Sequence, residues 1–380
     1  MVQTAQNRPR CDRPFPRRIA WDLAHTKGRV SNSRTAPRPR PSGLPLIPTA
    51  PIGSYALPAI YLMALERIAA GGLGETDLRE AVEDASQLAI LDQERAGLDV
   101  VSDGEVRRHD FILAFYGQLT GLAEVPPRRR LGPYLYDSTP IFEVRETVAA
   151  PGGLGTVQEF EFASSRTARL VKTACAGPLT LAQPMRLAGG YGKREDLMWD
   201  LASVVNQELK ALVAAGCRFV QIDESSNTAY WASPELFTEL FNRTVDGVDA
   251  YVGLHLCFGN LRGRPHSARS YGKLLTGLRE ARADLLLLEF ANREMAEIEE
   301  VGKADLPQDI GVGVLDVKSA HRESAEDVAR RLRLAAKWIP VERLWAVPDC
   351  GLWETPRWLA LHKLTALAGG AAIVRGEHGG

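Results

Sequence analysis

The tripeptide His255-Leu-Cys257 carries the most specific chemistry in this sequence, because it combines an imidazole with a thiol. It ends a short apolar segment, Tyr251–Cys257, whose composition predicts a buried β-strand. Residues i and i+2 of a strand project to the same side, so both side chains can bind one metal ion. Zinc takes nitrogen and sulfur ligands tetrahedrally, and Glu289 and Cys350, at the ends of two later predicted strands, can complete the set. These four residues are therefore a candidate Zn²⁺ site.

A His-x-Cys pair is weak evidence by itself, because both residue types also occur as ordinary core residues. Structural roles are the better interpretation of the other three cysteines: Cys11 lies in a basic N-terminal segment, Cys175 lines the predicted pocket, and Cys217 begins an apolar strand. The sequence contains no Cys-x-x-Cys pair, which disfavours a structural zinc finger. Five cysteines in 380 residues make no disulfide framework, so we predict a cytoplasmic protein with reduced thiols.

Polar residues also end most of the other predicted strands. In a (β/α)8 barrel the catalytic groups lie at the carboxyl ends of the strands, and a barrel built only for stability does not need polar groups there. For any single strand, the alternative is that charged residues begin where burial stops. The predicted strand ends are Ile52-Gly-Ser54, Asp103-Gly-Glu105, Gln221-Ile-Asp223-Glu224, His255-Leu-Cys257, Glu289, Asp316-Val-Lys318 and Asp349-Cys350.

The elements that must position these groups are eight short segments rich in Val, Ile and Leu. Their apolar residues do not strictly alternate with polar ones, which is typical of parallel strands buried on both faces. The eight predicted strands are Pro48–Ser54, Asp99–Glu105, Leu170–Pro178, Arg218–Glu224, Tyr251–Cys257, Asp284–Phe290, Ile310–Val317 and Arg343–Gly351.

Helical patterns with recognisable ends separate most of these strands. Gly97 and Gly216 each follow a helical pattern where a left-handed cap is needed. Ser233-Pro234, Ser324-Ala-Glu-Asp327 and Thr355-Pro356 are typical helix starts. The alternation predicts an α/β fold, a (β/α)8 TIM barrel. The main alternative, a doubly wound open sheet, is disfavoured because no glycine-rich phosphate-binding pattern follows the first strand.

One region interrupts this alternation before the third predicted strand. Ile141–Val148 and Thr156–Phe162 alternate apolar with polar residues around the turn-like sequence Ala149-Ala-Pro-Gly-Gly-Leu-Gly155. This pattern predicts an inserted β-hairpin.

The composition is that of a globular protein, with 45% hydrophobic residues, no apolar run long enough to span a membrane and no secretory signal.

The net charge of −1 conceals an asymmetry, because residues 1–50 hold nine Arg and one Lys against two Asp. Those residues also hold 8 of the 23 prolines. We predict a flexible Arg/Pro-rich extension over residues 1–45, whose removal leaves folding nearly unchanged, and a barrel over residues 46–380. The alternatives for the extension are nucleic-acid or membrane-surface contact, or a start codon assigned too far upstream. The acidic remainder argues against a nucleic-acid function for the whole chain.

Taken in order, these motifs resemble the catalytic domain of cobalamin-independent methionine synthase, over residues 48–376. The resemblance is carried by Pro51-Ile-Gly-Ser54, Asp103-Gly-Glu-Val-Arg-Arg-His-Asp110, Gln221-Ile-Asp-Glu224, His255-Leu-Cys257, Glu289 and Pro348-Asp-Cys-Gly-Leu352. It implies a zinc-dependent methyltransferase in which His255, Cys257, Glu289 and Cys350 hold zinc and the substrate thiol reacts as a thiolate.

The resemblance also implies how an amino-acid substrate, homocysteine, is held. Ile52 and Ser54 match the loop that binds its carboxylate, and Glu105 and Asp223 match the acids that bind its ammonium group. Two carboxylates beside a metal-bound thiol independently suit a substrate with a cationic end. The alternative is that the two acids are structural and pair with Arg107 or Arg108.

The sequence departs from the family at the proton donor. The two-barrel enzymes carry a histidine in an Asp-Ile-His pattern, where this chain has Asp316-Val-Lys318 and a single barrel. Lys318, with Asp316, is therefore the candidate catalytic group, and this departure looks more like the short, single-barrel branch of the family, where methyl donors differ. Lysine is the weaker acid by roughly four pKa units, so methyltetrahydrofolate is expected to be a poor donor. A methylated corrinoid, a sulfonium or an epoxide needs no protonated amine. The simpler alternative is that Lys318 pairs with Asp316 or another strand-end acid.

Two reactions of a small-molecule thiol with an alkyl donor therefore compete. One is methyl transfer to homocysteine, and the other is alkylation of a different thiol, such as coenzyme M opening an epoxide. A sulfonate-bearing thiol needs cations where an amino acid needs anions. Glu105 and Asp223 favour an amino-acid thiol. Arg107, Arg108 and Lys318 are cations that could bind a sulfonate, so a sulfonate-bearing thiol stays an alternative. A metal-binding barrel without catalytic activity is the third interpretation.

Overall fold

The main sheet of this computed structural model contains seven parallel strands. The structure describes residues 36–108, 113–125, 141–225 without the side chain of residue 225, 232–260, 263–265 and 269–379. The strands are β1 (Val100–Val101), β2 (Thr120–Val125), β3 (Ile141–Ala149), β4 (Leu170–Ala176), β5 (Met185–Leu187), β6 (Phe219–Ser225), β7 (Tyr251–Cys257), β8 (Leu285–Leu288), β9 (Asp309–Leu315) and β10 (Leu344–Pro348). The order in the main sheet is β1-β4-β6-β7-β8-β9-β10, and these strands confirm seven of the eight predicted ones.

Helices lie between most of these strands, as the alternation predicts. They are α1 (Ala59–Ala69), α2 (Glu75–Ala96), α3 (Leu113–Tyr116), α4 (Thr156–Ser164), α5 (Pro178–Ala182), α6 (Arg194–Ala214), α7 (Pro234–Thr244), α8 (Leu275–Glu280), α9 (Ile298–Lys303), α10 (Ala325–Ala336) and α11 (Arg357–Glu377). Short 3-10 helices cover Ala291–Arg293 and Val341–Arg343. None of the described helices is both long and apolar enough to cross a membrane.

The predicted helix ends are confirmed at four positions. Gly97 and Gly216 have φ angles of 88° and 100°, which favour glycine because it has no Cβ. The Ser233 side chain accepts from the amide of the third helical residue. Ser324 and Asp327 form a reciprocal capping box at the start of α10. At Thr355-Pro356 the helix begins one residue later, with Pro356 as the cap.

The first predicted strand is reduced to a single bridge, at Thr49. Thr49 pairs with Ala346 of β10, and its carbonyl accepts from the amide of Val100 in β1 at 3.0 Å. The segment therefore contacts both edge strands of the seven-stranded sheet.

A small core cluster shows that the sheet is strongly curved. The ring centroids of Phe219 in β6 and Trp345 in β10 are 5.7 Å apart, although three strands lie between them in the sheet order. Tyr251 of β7 contacts both rings. All three side chains are buried, and they belong to a cluster that also includes residues from β1 and β8. This cluster fills the space that the curved sheet encloses.

The predicted hairpin is wrong in its second arm, because residues 156–164 form helix α4. Val157, Phe160 and Ala163 pack on one side at helical spacing, which outweighs the local alternation. Glu208 of α6 stabilises the helix start, since its carboxylate accepts from the amides of Leu154 and Thr156 at 2.7 and 2.8 Å. The first arm is confirmed as β3, which pairs antiparallel with β2 and parallel with β5.

The predicted extension contacts the main sheet over part of its length. The Arg38 guanidinium donates to the Ala250 carbonyl at 2.6 Å, and Arg40 Nε donates to Asp309 Oδ2 at 2.6 Å. The boundary predicted at residue 45 therefore falls inside a segment that packs against the amino ends of the strands. Residues 1–35 lie outside the described residues, so flexibility there stays a prediction.

Candidate metal centre and substrate pocket

Three of the four predicted metal ligands converge at the carboxyl ends of β7 and β10. The ligand atoms of His255, Cys257 and Cys350 all lie within 4.8 Å of one another, and the two sulfur atoms are 3.6 Å apart. His255 and Cys257 are buried, and Cys350 is half-buried. The predicted i, i+2 geometry of the strand accounts for the first two, and the parallel sheet brings the third to the same end.

The histidine is set up to bind an ion through one nitrogen. His255 Nδ1 lies 3.3 Å from the carbonyl oxygen of Leu287 in the neighbouring strand β8, while buried Nε2 has no hydrogen-bond partner among the described residues. A carbonyl partner at Nδ1 fixes the ring with Nε2 free to bind a metal. Hydrogen bonding to Cys257 and burial raise the pKa of the Cys350 thiol, an effect that a bound cation would reverse.

Glu289, the fourth predicted ligand, lies outside this group of atoms. Its Oε2 accepts from the Phe258 amide at 3.2 Å and lies 2.8 Å from Nζ of Lys318, and both charged side chains are buried. Its Oε1 is buried and has no hydrogen-bond partner among the described residues. One carboxylate oxygen is thus held by a lysine, and the other is available to a ligand.

Lys318 forms an ion pair with Glu289. Of the two predicted alternatives, Asp316 or another strand-end acid, the structure therefore shows the second. The carboxylate of Asp316 instead accepts from Asn292 Nδ2 at 3.1 Å and from the Lys318 amide at 2.8 Å. Burial lowers the pKa of Lys318, but Glu289 and Cys350 more than compensate, so it lies above its usual value. The two predicted catalytic residues therefore have separate side-chain partners.

The predicted substrate residues gather at the ends of β1 and β6. Ser54 Oγ donates to Glu105 Oε2, and Glu105 has a positive φ of 54°. A Cβ at Gly53 would lie 2.2 Å from Glu105 Oε1, so a larger residue there would displace the Glu105 carboxylate. Asp223 pairs in register with His255, which brings the acid beside the metal cluster. Ile52 joins this group through its carbonyl oxygen, which accepts from Gln221 at 2.9 Å.

The alternative that the two acids pair with an arginine is confirmed for Glu105 but not for Asp223. Arg108 Nη1 lies 3.3 Å from Glu105, and the same guanidinium forms a bidentate pair with Glu159. Asp223 instead accepts from Gln221 Nε2 at 2.7 Å, and burial raises its pKa to about 6. Arg107 lies over the ring of Phe162 at 4.1 Å. His109 and Asp110, which end this motif, lie outside the described residues.

Two buried charged residues near the site escaped the sequence analysis. Lys172 lies in the middle of β4 and is 1% exposed; the signal was a lysine inside the apolar run Leu170–Ala176. Asp349 was noted only as a strand end, but its carboxylate accepts from three successive amides, those of Phe290, Ala291 and Asn292. It therefore orients the turn that follows Glu289.

Comparison with known proteins identifies the family. Residues 47–372 match the model of the catalytic domain of cobalamin-independent synthase. The chain belongs to this family. The methionine synthase of Thermococcus kodakarensis is 33% identical over 338 residues, which is 88% of this chain and 95% of the relative. That of Sulfurisphaera tokodaii is 33% identical over 335 residues, covering 88% and 94%. The predicted family and the predicted class, a methionine-synthase-like methyltransferase, are confirmed.

A solved structure supports the same conclusion for the fold. The B12-independent methionine synthase from Shewanella sp. W3-18-1, in complex with selenomethionine, superposes with a TM-score of 0.74 at 26% identity. The match covers 88% of this family member and 99% of the Shewanella chain. The α/β architecture built on a parallel sheet is therefore confirmed.

Proposed function

We propose that this protein is a zinc-dependent methyltransferase that alkylates the thiol of homocysteine to give methionine. The observation that carries the proposal is the convergence of His255, Cys257 and Cys350 beside buried carboxylates, in a chain of the methionine synthase family. The small-molecule partners are then the thiol and a methyl donor.

The residues fit zinc by their chemistry. One imidazole nitrogen and two thiol sulfurs are a donor set that zinc prefers, and buried His255 Nε2 and Glu289 Oε1 both have unused lone pairs. His255, Cys257, Cys350 and Glu289 would hold the ion. When bound, zinc lowers the pKa of the substrate thiol, so that its sulfur reacts as a thiolate at neutral pH.

The protein residues then orient the amino-acid part of the substrate. Glu105 and Asp223 present two buried carboxylates, which suit an ammonium group because an isolated buried anion is costly. The segment Pro51–Ser54, with Ile52 and the Ser54 hydroxyl, binds the substrate carboxylate. Holding both ends fixes the sulfur toward the metal ligands and excludes water from the reacting centre.

The coenzyme M alternative has less support. A sulfonate needs a free cation, but Arg108 is engaged by Glu105 and Glu159, and Lys318 is engaged by Glu289. Of the three candidate cations, Arg107 alone has no carboxylate within ion-pair distance among the described residues. The buried acids therefore favour the zwitterionic thiol.

We also propose that residues 48–50 complete an eight-stranded (β/α)8 barrel. Thr49 bridges β10, its carbonyl accepts from Val100 of β1, and aromatic rings from non-adjacent strands meet inside the curved sheet. Closure would place Ile52 and Ser54 at the same carboxyl edge as the metal ligands.

For the donor, we propose a group that needs no protonation of an amine as the methyl group leaves. The Lys318 ammonium is committed to Glu289, and Asp316 accepts from Asn292, so neither is directed to an incoming donor. A sulfonium fits this requirement, because it leaves as a neutral thioether.

A reducing compartment, the cytoplasm, suits the site. The sulfur atoms of Cys257 and Cys350 are 3.6 Å apart, and their oxidation to a disulfide would remove two metal ligands.

The decisive experiment is a two-substrate assay with metal analysis. Purified protein is incubated with homocysteine or coenzyme M and with methyltetrahydrofolate or a sulfonium. Methionine formation that is lost on zinc removal and restored by zinc supports the proposal. Turnover of coenzyme M alone, or full activity in metal-free protein, would contradict it.

A further inference from the structure

Lys172 is a buried cation directly beneath the proposed substrate loop. It lies in the middle of β4, is 1% exposed, and burial lowers its pKa to about 7. Burying an ammonium group is unfavourable unless specific partners compensate. The partners that compensate therefore show what the lysine does.

All three hydrogen-bond acceptors of Lys172 belong to the site. Its Nζ donates to the carbonyl oxygens of Pro51 and Ile52, the latter at 2.8 Å, and to Oε1 of Gln221. The amide nitrogen of the same Gln221 side chain donates to the Ile52 carbonyl at 2.9 Å and to Asp223 at 2.7 Å. Lys172 and Gln221 thus tie the loop to the acid on β6.

The contact between Lys172 and the two carbonyls also fixes the direction of the neighbouring N–H groups in the loop. In a planar trans peptide, the carbonyl and the following N–H point in opposite directions. Since the Pro51 and Ile52 carbonyls point at Lys172, the N–H groups of Ile52 and Gly53 point away from it. Neither N–H donates to any other described residue, and Ile52 is 5% exposed.

We infer that Lys172 is a positioning residue that turns the Ile52 and Gly53 amides outward as a binding site for the substrate carboxylate. The positive charge of Lys172 also attracts that carboxylate through the loop. Glu105 and Asp223 lie close enough to Lys172 to favour its charged form. This inference rests on the proposed function, because it assigns the loop to an amino-acid thiol.

The test compares two thiols that differ only in the carboxylate, homocysteine and 3-aminopropane-1-thiol. In wild-type protein, homocysteine should be strongly preferred in kcat/KM. In Lys172→Met the KM for homocysteine should rise about ten- to a hundred-fold. The KM for the carboxylate-free thiol and the zinc content should barely change, so the preference should collapse. A purely structural role would instead affect both thiols alike.

Lys363→Met is the matched control, because it removes a different buried lysine. Lys363 is also fully buried and donates to two carbonyls and one carboxylate, but these belong to Asp316, His321 and Glu323. This variant should lose stability while it retains the preference between the two thiols.

A second variant, Gln221→Met, keeps the inference testable if Lys172→Met does not fold. It removes one partner of the lysine and should lower the preference in the same direction. An unchanged preference in either folded Lys172→Met or folded Gln221→Met would overturn the inference alone. Wild-type protein that alkylates neither thiol would overturn the proposed function instead.

Discussion

Charged side chains lie at both the amino and the carboxyl ends of the parallel strands, but their hydrogen bonding differs between the two ends. At the amino end, Asp309 Oδ2 accepts from Arg40, from the Tyr251 hydroxyl at 2.9 Å and from the Trp345 indole at 3.1 Å. At the carboxyl end, Asp103 Oδ2, His255 Nε2 and Glu289 Oε1 are buried with no hydrogen-bond partner among the described residues.

This difference separates stability from function. A buried polar atom without a partner costs about 1–3 kcal/mol, so a fold that needed only stability would satisfy it, as Asp309 is satisfied at the amino end. Most of these unsatisfied atoms lie at the carboxyl end, with Gln308 Oε1 before β9 as an exception, and such a concentration is typical of a site whose ligand completes the bonding. In barrels, the carboxyl end carries the active site.

The largest expected effect of disturbing the carboxyl end is loss of the metal. Cys257→Ser and Cys350→Ser should each lose both zinc and activity, because an alcohol is a much poorer zinc ligand than a thiolate. Elemental analysis of both variants provides the measurement, with Cys217→Ser as the control, since Cys217 lies two residues before the amino end of β6 and is not part of the cluster. Full zinc occupancy in both variants would refute the ligand assignment.

The second effect concerns the two acids of the same end. Glu105→Gln and Asp223→Asn should raise the KM for homocysteine about ten- to a hundred-fold, because a charged hydrogen bond to the ammonium is replaced by a neutral one. Zinc content should be retained. Steady-state kinetics test this, and an unchanged KM in both variants would assign the acids to a structural role.

The third effect concerns the donor. We expect poor methionine formation from methyltetrahydrofolate in the wild-type protein, because Lys318 is a weak acid already paired with Glu289. His321→Ala is the informative control, since that histidine is close in sequence but exposed. Efficient turnover of methyltetrahydrofolate that Lys318→Ala retains would defeat the donor proposal, and its loss in His321→Ala would identify a different acid.

The smallest effect should come from the amino end. Deleting residues 1–35 should leave the melting temperature unchanged, whereas deleting residues 1–45 should lower it by about 2–6 °C, because the Arg38 and Arg40 contacts are lost. Calorimetry of both truncations checks this, and turnover should survive in each. Equal melting temperatures for the two would show that these contacts add nothing to stability.

The sequence was most informative wherever the cause is local. Helix ends at Gly97 and Ser324 follow from backbone chemistry within a few residues, and their positions agree with the structure. The same-side placement of His255 and Cys257 follows from the two-residue period of a strand. The alternation in residues 156–162 misled because tertiary packing and Glu208 selected a helix.

What the sequence alone determined is therefore the seven parallel strands of the main sheet, most helix caps and the chemical types at the strand ends. Tertiary structure alone decided the partners: that Lys318 pairs with Glu289 rather than Asp316, that Lys172 holds the Pro51–Ser54 loop, and that Arg40 reaches Asp309. The physical reason is the distance along the chain over which each interaction acts. Periodicity and capping act over a few residues, whereas ion pairs between distant residues depend on distances of a few ångströms that exist only after the sheet has curved and brought its strands together.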